Sequence, residues 1–188
     1  MKSMTKRLLA ALLAVAALFA LVGCSKSDKA DAAPKDYTKI LHDARPDEDN
    51  EYDMIFSPGE DGKFTAQYGY SDSYDAAQLD EEIRNMLLPL LNLEEDMYTD
   101  FAASVSGMMV QSYGIAIVKP AEGKQQAVSE ALDAYVQSQM QSMEHYLEDQ
   151  YQIAASSHIS TAPTGEVILV CCENPEAVMN AIKTALAA

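Results

Sequence analysis

The sequence predicts an α+β domain: an antiparallel sheet of about four strands with packed helices, preceded by an N-terminal helical region. Three observations lead to this. Apolar runs of strand length occur at residues 102–106, 113–118 and 167–172. Amphipathic helical spacings lie between and after them. The order strand–strand–helix occurs twice, over 101–150 and 152–187, with a faint internal echo. Ala102-Ala103-Ser104 precedes Ile115-Ala116-Ile117-Val118 by the same interval that separates Ala154-Ala155-Ser156 from Val167-Ile168-Leu169-Val170.

The chain has 188 residues and a formal charge of −16. It opens with Lys2, Lys6 and Arg7, then an apolar stretch at 8–22 built only of Leu, Ala, Val and Phe. At 1.5 Å per residue that stretch spans about 22 Å, short of a hydrocarbon core of about 30 Å. It therefore reads as a secretory leader, residues 1–23. Leu21-Val22-Gly23-Cys24 resembles the lipobox of signal peptidase II substrates. That resemblance implies cleavage before Cys24 and a thioether-linked diacylglycerol on its sulfur, with further acylation (palmitate or similar). Two acyl chains hold a protein to a bilayer where one does not. Residues 24–35, small and polar and containing Pro34, read as a flexible tether of about 20 Å reach. Residues 36–188 are then a single domain of a size that supports its own core.

Losing the leader removes three basic residues and no acidic one, so the mature charge becomes −19. Such a chain is repelled by nucleic acid and by anionic membrane surfaces, which excludes nucleic-acid binding. Plausible partners are cationic segments, neutral glycans, an envelope protein or divalent ions.

The elements follow in order. Tyr37, Ile40, Leu41 and Ala44 mark a short helix that Arg45-Pro46 stops. Residues 47–53 read as an acidic turn, and 54–70 as turns with one strand around Phe64, Ala66 and Tyr68. Asp75 with Gln78 forms a capping box opening a helix over 75–91, striped by Leu79, Ile83, Met86, Leu87 and Leu90, with Pro89 kinking or ending it. Residues 102–106 and 113–118 are strands. Pro120 then starts a long helix with Val128, Leu132, Tyr135, Val136, Met140, Met143, Tyr146 and Leu147 on one face. Residues 153–160 and 166–172 are the last strands. Asn174-Pro175-Glu176 starts the final helix. Residues 167–172 are apolar on both faces, as in a central strand covered on each side. The helix at 75–91 is a candidate cover for the second face.

Residues with chemical potential are few. Asp47, Asp49, Glu51 and Asp53 could hold Ca²⁺, but Tyr52 and Pro58 stand where an EF-hand needs Gly and Glu, so a solvated acidic loop is preferred. His145 and Glu148 could share a metal if on one helix, yet no paired-His motif exists, and a polar helix-face pair is preferred. Ser156 and His158 would share a strand face, without a nucleophile elbow; His42 stands alone. Gly107 and Gly114 are isolated and form no phosphate loop. Cys171 and Cys172 point to opposite faces of a strand and read as two buried thiols, with a vicinal disulfide as the alternative. Met97, Met108, Met109, Met140 and Met143, with Tyr98, Tyr113, Tyr135, Tyr146 and Tyr151, read as core, the alternative being a binding or homodimer patch.

The stretch Tyr113-Gly114-Ile115-Ala116-Ile117-Val118-Lys119-Pro120, the Gln- and Met-rich helix after it, Tyr146-Leu147-Glu148-Asp149-Gln150-Tyr151 and the final apolar strand together resemble a family of small bacterial lipoproteins known as domain of unknown function 4358. The resemblance runs from about Asp75 to Leu186. It implies a lipoprotein and carries no site residues, because that family has no agreed catalytic set. The expectation is a lipid-anchored, non-enzymatic accessory or binding module on the extracytoplasmic face of the cell membrane. It has no catalytic residue, cofactor or metal ligand, and Cys24 is its one modified site. The alternatives are a Ca²⁺-dependent or small-ligand-binding lipoprotein, or an accessory to a cell-envelope polymer-modifying enzyme.

Overall fold

Val167–Cys171 is buried along its whole length, and the rest of the domain is arranged around it. A computed structural model describes residues 35–188. The leader, Cys24 and the tether up to residue 34 lie outside the described residues. Asp36–Ala188 forms one unit, a six-stranded sheet in the order β2-β1-β3-β4-β6-β5. The strands are β1 (Ile55–Pro58), β2 (Phe64–Gln67), β3 (Tyr98–Val105), β4 (Gly114–Pro120), β5 (His158–Thr161) and β6 (Val167–Cys171). Every neighbouring pair is antiparallel. The α+β class stands. The strand count rises to six because the stretch 54–70 holds a hairpin rather than one strand.

The helices are α1 (Tyr37–Ala44), α2 (Asp47–Tyr52), α3 (Ala76–Glu82, continued by a π turn Ile83–Leu87 and a last turn Leu88–Leu90), α4 (Gln125–Met143), α5 (Glu148–Ala155) and α6 (Pro175–Ala187). Alternation along the strands divides the core in two. On one face Phe101, Ala116, Val118, Val167 and Leu169 pack under Ile83 and Leu87 of α3 and Val128, Leu132 and Tyr135 of α4. On the other, Ile55, Ile115, Ile117, Ile168 and Val170 pack under Leu41 of α1 and Val178, Met179 and Ile182 of α6. The central strand is thus covered on both sides as expected. The helix at 75–91 shares its layer with α4, and the second face belongs to α1 and α6.

The two strand–strand–helix units are present, but α4 and α6 cover opposite faces. A rotation that superposes antiparallel neighbours β4 and β6 keeps each helix on its own face, so the units are not copies of one another. The echo of Ala-Ala-Ser fails as well: Ala102 is in β3, whereas Ala154 is in the last turn of α5.

Local chemistry explains the element ends. Asp75 accepts from the backbone N–H groups of Ala77 and Gln78 at 3.0 Å, and its own N–H donates to Gln78 Oε1 at 3.3 Å, completing the capping box. Pro120 ends β4 opposite Tyr98 rather than opening a helix, a position where the missing N–H is tolerated. α4 begins only at Gln125, after a turn in which Gly123 takes φ +75°. Residues 153–155 belong to α5, whose first turn carries Glu148 and Asp149 at the positive dipole end, and β5 starts at His158. Asn174 is the residue before α6 as expected, though left-handed at φ 53° and without a side-chain cap bond. At Gly114 a Cβ would lie 2.6 Å from the Tyr135 hydroxyl. The bare backbone there lets Tyr135 donate to the Tyr113 carbonyl at 2.7 Å and latches α4 to the sheet.

Candidate functional site

The acidic run is helical over Asp47–Tyr52 rather than a turn, with Asp53 extended just after it. Three acids in its first turn, Asp47, Glu48 and Asp49, favour the positive end of a helix. Its placement is set by Arg45, which follows α1 and is 6% exposed. The guanidinium donates through Nε to Asn50 Oδ1 at 2.7 Å. Nη1 reaches the Asp53 carbonyl at 2.8 Å, Ser104 Oγ at 3.0 Å and the Tyr113 hydroxyl at 3.1 Å. One cation therefore ties α2 to β3 and to the first residue before β4. From sequence alone Arg45 reads only as part of a helix stop. A lone arginine next to a run of acids was the signal that could have marked it as their buried anchor.

Beside this anchor opens a cleft of about 650 Å³. One wall is α2 with the turn Gly69–Ser73; the other is the β3–β4 loop, residues 106–113, with Gln150 of α5 and Cys172 behind it. The first wall depends on Gly69, at φ +51°. A Cβ there would stand 2.7 Å from the backbone of residues 52–54. This backbone contact sets Tyr70 beside Tyr52, with ring centroids 5.9 Å apart. The second wall is braced internally. Ser106 donates from its N–H to the Tyr113 carbonyl at 3.0 Å and from its hydroxyl to Gln111 Oε1 at 3.0 Å. The Ser112 N–H donates to Gln150 Oε1 at 2.9 Å.

Three polar atoms of this region are buried without a hydrogen-bond partner among the described residues: Asp49 Oδ2, Arg45 Nη2 and the Ser112 hydroxyl oxygen. Buried polar atoms are nearly always paired, and an orphan costs about 1–3 kcal/mol. Asp49 and Ser112 both line the cleft, and Ser112 is only 2% exposed. Burial lifts the Asp49 carboxyl to about 6; the charge of Arg45 works against this, while Asp53, Glu48 and Glu173 reinforce it. Asp53 is also raised by burial, again opposed by Arg45. Cys172 is pushed up to about 12, first by burial and then by the charge of Asp49, so its thiol is neutral and inert at physiological pH.

The lining carries five carboxylates, Glu48, Asp49, Asp53, Glu82 and Glu173, and no Lys, Arg or His among the described residues. Its mouth is apolar: Tyr52, Tyr70 and Met108 are 51%, 56% and 60% exposed.

The residues singled out from the sequence are placed as follows. Of Asp47, Asp49, Glu51 and Asp53, only Asp49 and Asp53 turn toward the cleft, and no group of three or more His, Cys, Asp or Glu among the described residues is arranged to hold a metal. His145 lies between α4 and α5 rather than on a helix with Glu148, and its nearest acid is Glu144 at 4.0 Å. Ser156 ends α5 and bonds the Ile153 carbonyl at 3.0 Å, so it shares no strand face with His158. His42 stacks on Tyr68 at 4.0 Å between centroids. Cys171 and Cys172 are free, buried thiols in opposite core clusters. Of the Met and Tyr set, Tyr113, Tyr135 and Met143 are core, while Met108, Met109 and Tyr146 are exposed. Cys24 lies outside the described residues.

Fold and site together define a class: an antiparallel α+β domain with helices on both faces and an open, acidic, tyrosine-rimmed cleft beside the sheet. By sequence the chain belongs to the family described as Domain of unknown function (DUF4358), whose model matches residues 71–172. That segment supplies the β3–β4 wall of the cleft, while most of the α2 wall lies before it. Neither the curated proteins nor the solved structures contain a match.

Proposed function

We propose that this protein is a non-enzymatic binding module, held at the extracytoplasmic face of the cell membrane by lipid on Cys24, and that the cleft between α2 and the β3–β4 loop is its ligand site. The observation that carries the binding assignment is the presence of two unpaired buried polar atoms, Asp49 Oδ2 and the Ser112 hydroxyl oxygen, on residues that line an open cleft, polar groups for which a ligand would supply partners. The inert thiol of Cys172 and a cleft lining that includes none of the three histidines support binding rather than bond-breaking chemistry. The anchor rests on the lipobox-like Leu21-Val22-Gly23-Cys24.

Two experiments test this. Cys24→Ala releases the protein from membranes in fractionated cells; retention of that variant would remove the anchor. For the cleft, small-molecule fractions of cell envelope are screened by thermal shift against the full chain in neutral detergent and against Gly107→Leu. A Cβ at Gly107 meets only Leu87 Cδ2, at 3.7 Å, so the added side chain fills the cleft without a backbone clash. At least one fraction raises the Tm of the wild type and not that of Gly107→Leu. If every fraction acts on both alike, the cleft is not the site.

A further inference from the structure

We infer that the cleft takes an organic cation: an ammonium group carried on an apolar body, with the charge seated against Asp49 and the body against the tyrosine rim. This rests on the cleft being a binding site and adds the chemical class of its ligand.

Three features of the cleft converge on that class. Its lining charges are all negative, five carboxylates without a cationic side chain among the described residues. Carboxylates crowded on low-dielectric walls focus a negative potential that concentrates cations. Its mouth presents Tyr52 and Tyr70 as a tilted aromatic pair with Met108 across from them. Tyrosine faces attract ammonium groups, and Met offers an adaptable apolar contact. Within, the Ser112 hydroxyl is buried and unpaired, and so is Asp49 Oδ2. Both can accept from an N–H donor, which an ammonium group has in number and a neutral apolar ligand lacks. Among the described residues, Arg45 is the cation whose charge acts on Asp49. It does not line the cleft; Nε and Nη1 are spent on Asn50, the Asp53 carbonyl, Ser104 and Tyr113, and the unpaired Nη2 is buried.

The pH dependence follows from the groups that face Asp49. Arg45 opposes its protonation; Asp53, Glu48 and Glu173 favour it, and Cys172 stays neutral beside it. An arriving cation tips this balance toward the carboxylate. Binding therefore strengthens from pH 5 to pH 7.5 and releases protons in the pH range around 6.

The test compares three probes of nearly one shape on the full chain in neutral detergent: phenethylammonium, 2-phenylethanol and phenylacetate, titrated by calorimetry at pH 7.5. Phenethylammonium binds at least tenfold more tightly than either of the others. Asp49→Asn reduces that preference by about tenfold and flattens its pH dependence; Gly107→Leu abolishes binding of all three. Phenylacetate binding as tightly as the cation would overturn the inference and point to Arg45 as the receptor of an anion. Equal binding of 2-phenylethanol would overturn it too, as would no binding of phenethylammonium at 20 mM. In the last case, an envelope fraction that still stabilises the wild type and not Gly107→Leu leaves the cleft standing as a site for another ligand class.

Discussion

Asp49→Asn is expected to make the folded domain more stable at pH 8 and to leave it unchanged at pH 4. The carboxyl moves from an ordinary value of 3.8 to about 6 in the fold, because burial outweighs the attraction of Arg45. A carboxyl raised by folding holds its proton more tightly in the native state than in the unfolded chain. Its contribution to stability is therefore fully present below about pH 4, falls as pH rises toward 6, and is gone above that. At about 1.4 kcal/mol per pH unit, a displacement from 3.8 to about 6 corresponds to about 3 kcal/mol at most. Partial exposure of the group and solvent screening bring this to about 1–2 kcal/mol. Asparagine keeps the shape and removes the charge, so it recovers that amount wherever the wild-type carboxyl is ionised. For a domain of this size the gain is about 3–6 °C in Tm. Urea unfolding of wild type and variant at pH 4, 6 and 8 measures it: curves that coincide at pH 4 separate progressively by pH 8. A variant that is less stable at pH 8 would show that Arg45 needs the Asp49 charge, and the account of an uncompensated carboxylate would fall.

Gly69→Ala places a Cβ against the backbone of residues 52–54 at φ +51°. It should cost about 2–4 kcal/mol by chemical denaturation, with binding of the cation probe lost even at temperatures where the variant stays folded. Tyr37→Phe removes the 3.0 Å bond to Glu166 Oε1, leaving Glu166, 5% exposed, with the Thr164 hydroxyl as its remaining side-chain donor. A loss of about 1–3 kcal/mol is expected in the same assay. In the Cys24→Ala chain, iodoacetamide at pH 8 should label Cys171 and Cys172 at least 100-fold more slowly in the native state than in urea, because burial raises both thiols. Mass spectrometry of timed aliquots gives the rates, and fast native labelling of Cys172 would mean the cleft floor opens.

Much of the fold was legible because it is driven by runs that bury whole faces. β3, β4 and β6 carry continuous apolar stretches, and α1, α3, α4 and α6 carry a stripe that a sheet can cover. Signals of only a few residues were legible where they close locally, as in the Asp75 capping box. What escaped notice was set by tertiary contact. β1 shows two fully buried residues, Ile55 and Phe56, too few for a period. α5 has a weak stripe, and Ile153-Ala154-Ala155 reads equally well as strand until Tyr151 bonds back to the Leu147 carbonyl. The π turn at Ile83–Leu87 adds a residue that lets both Leu87 and Leu88 face inward, which no α-helical period shows. The cleft was hidden for a different reason. Asp49, Tyr70, Ser112 and Cys172 are distant in sequence, and it is the pairing of β3 with β1 and β4, and of β4 with β6, that draws their segments together. The acids of 47–53 were visible, but whether they face water or a wall depended on Arg45 finding Ser104 and Tyr113.

The two edges of the sheet, β2 and β5, are four residues each, and α3 packs over the β2 edge, where Asp80 caps the Phe64 N–H at 2.8 Å. If the protein is held in a plane by lipid on Cys24, as we propose, this matters more than it would in free solution. Neighbours confined to a surface meet often and in similar orientation, the conditions under which open strand edges zip into extended sheets. Edges this short, one of them with an N–H already engaged by a carboxylate, would let anchored copies crowd at high surface density while each keeps its sheet to itself.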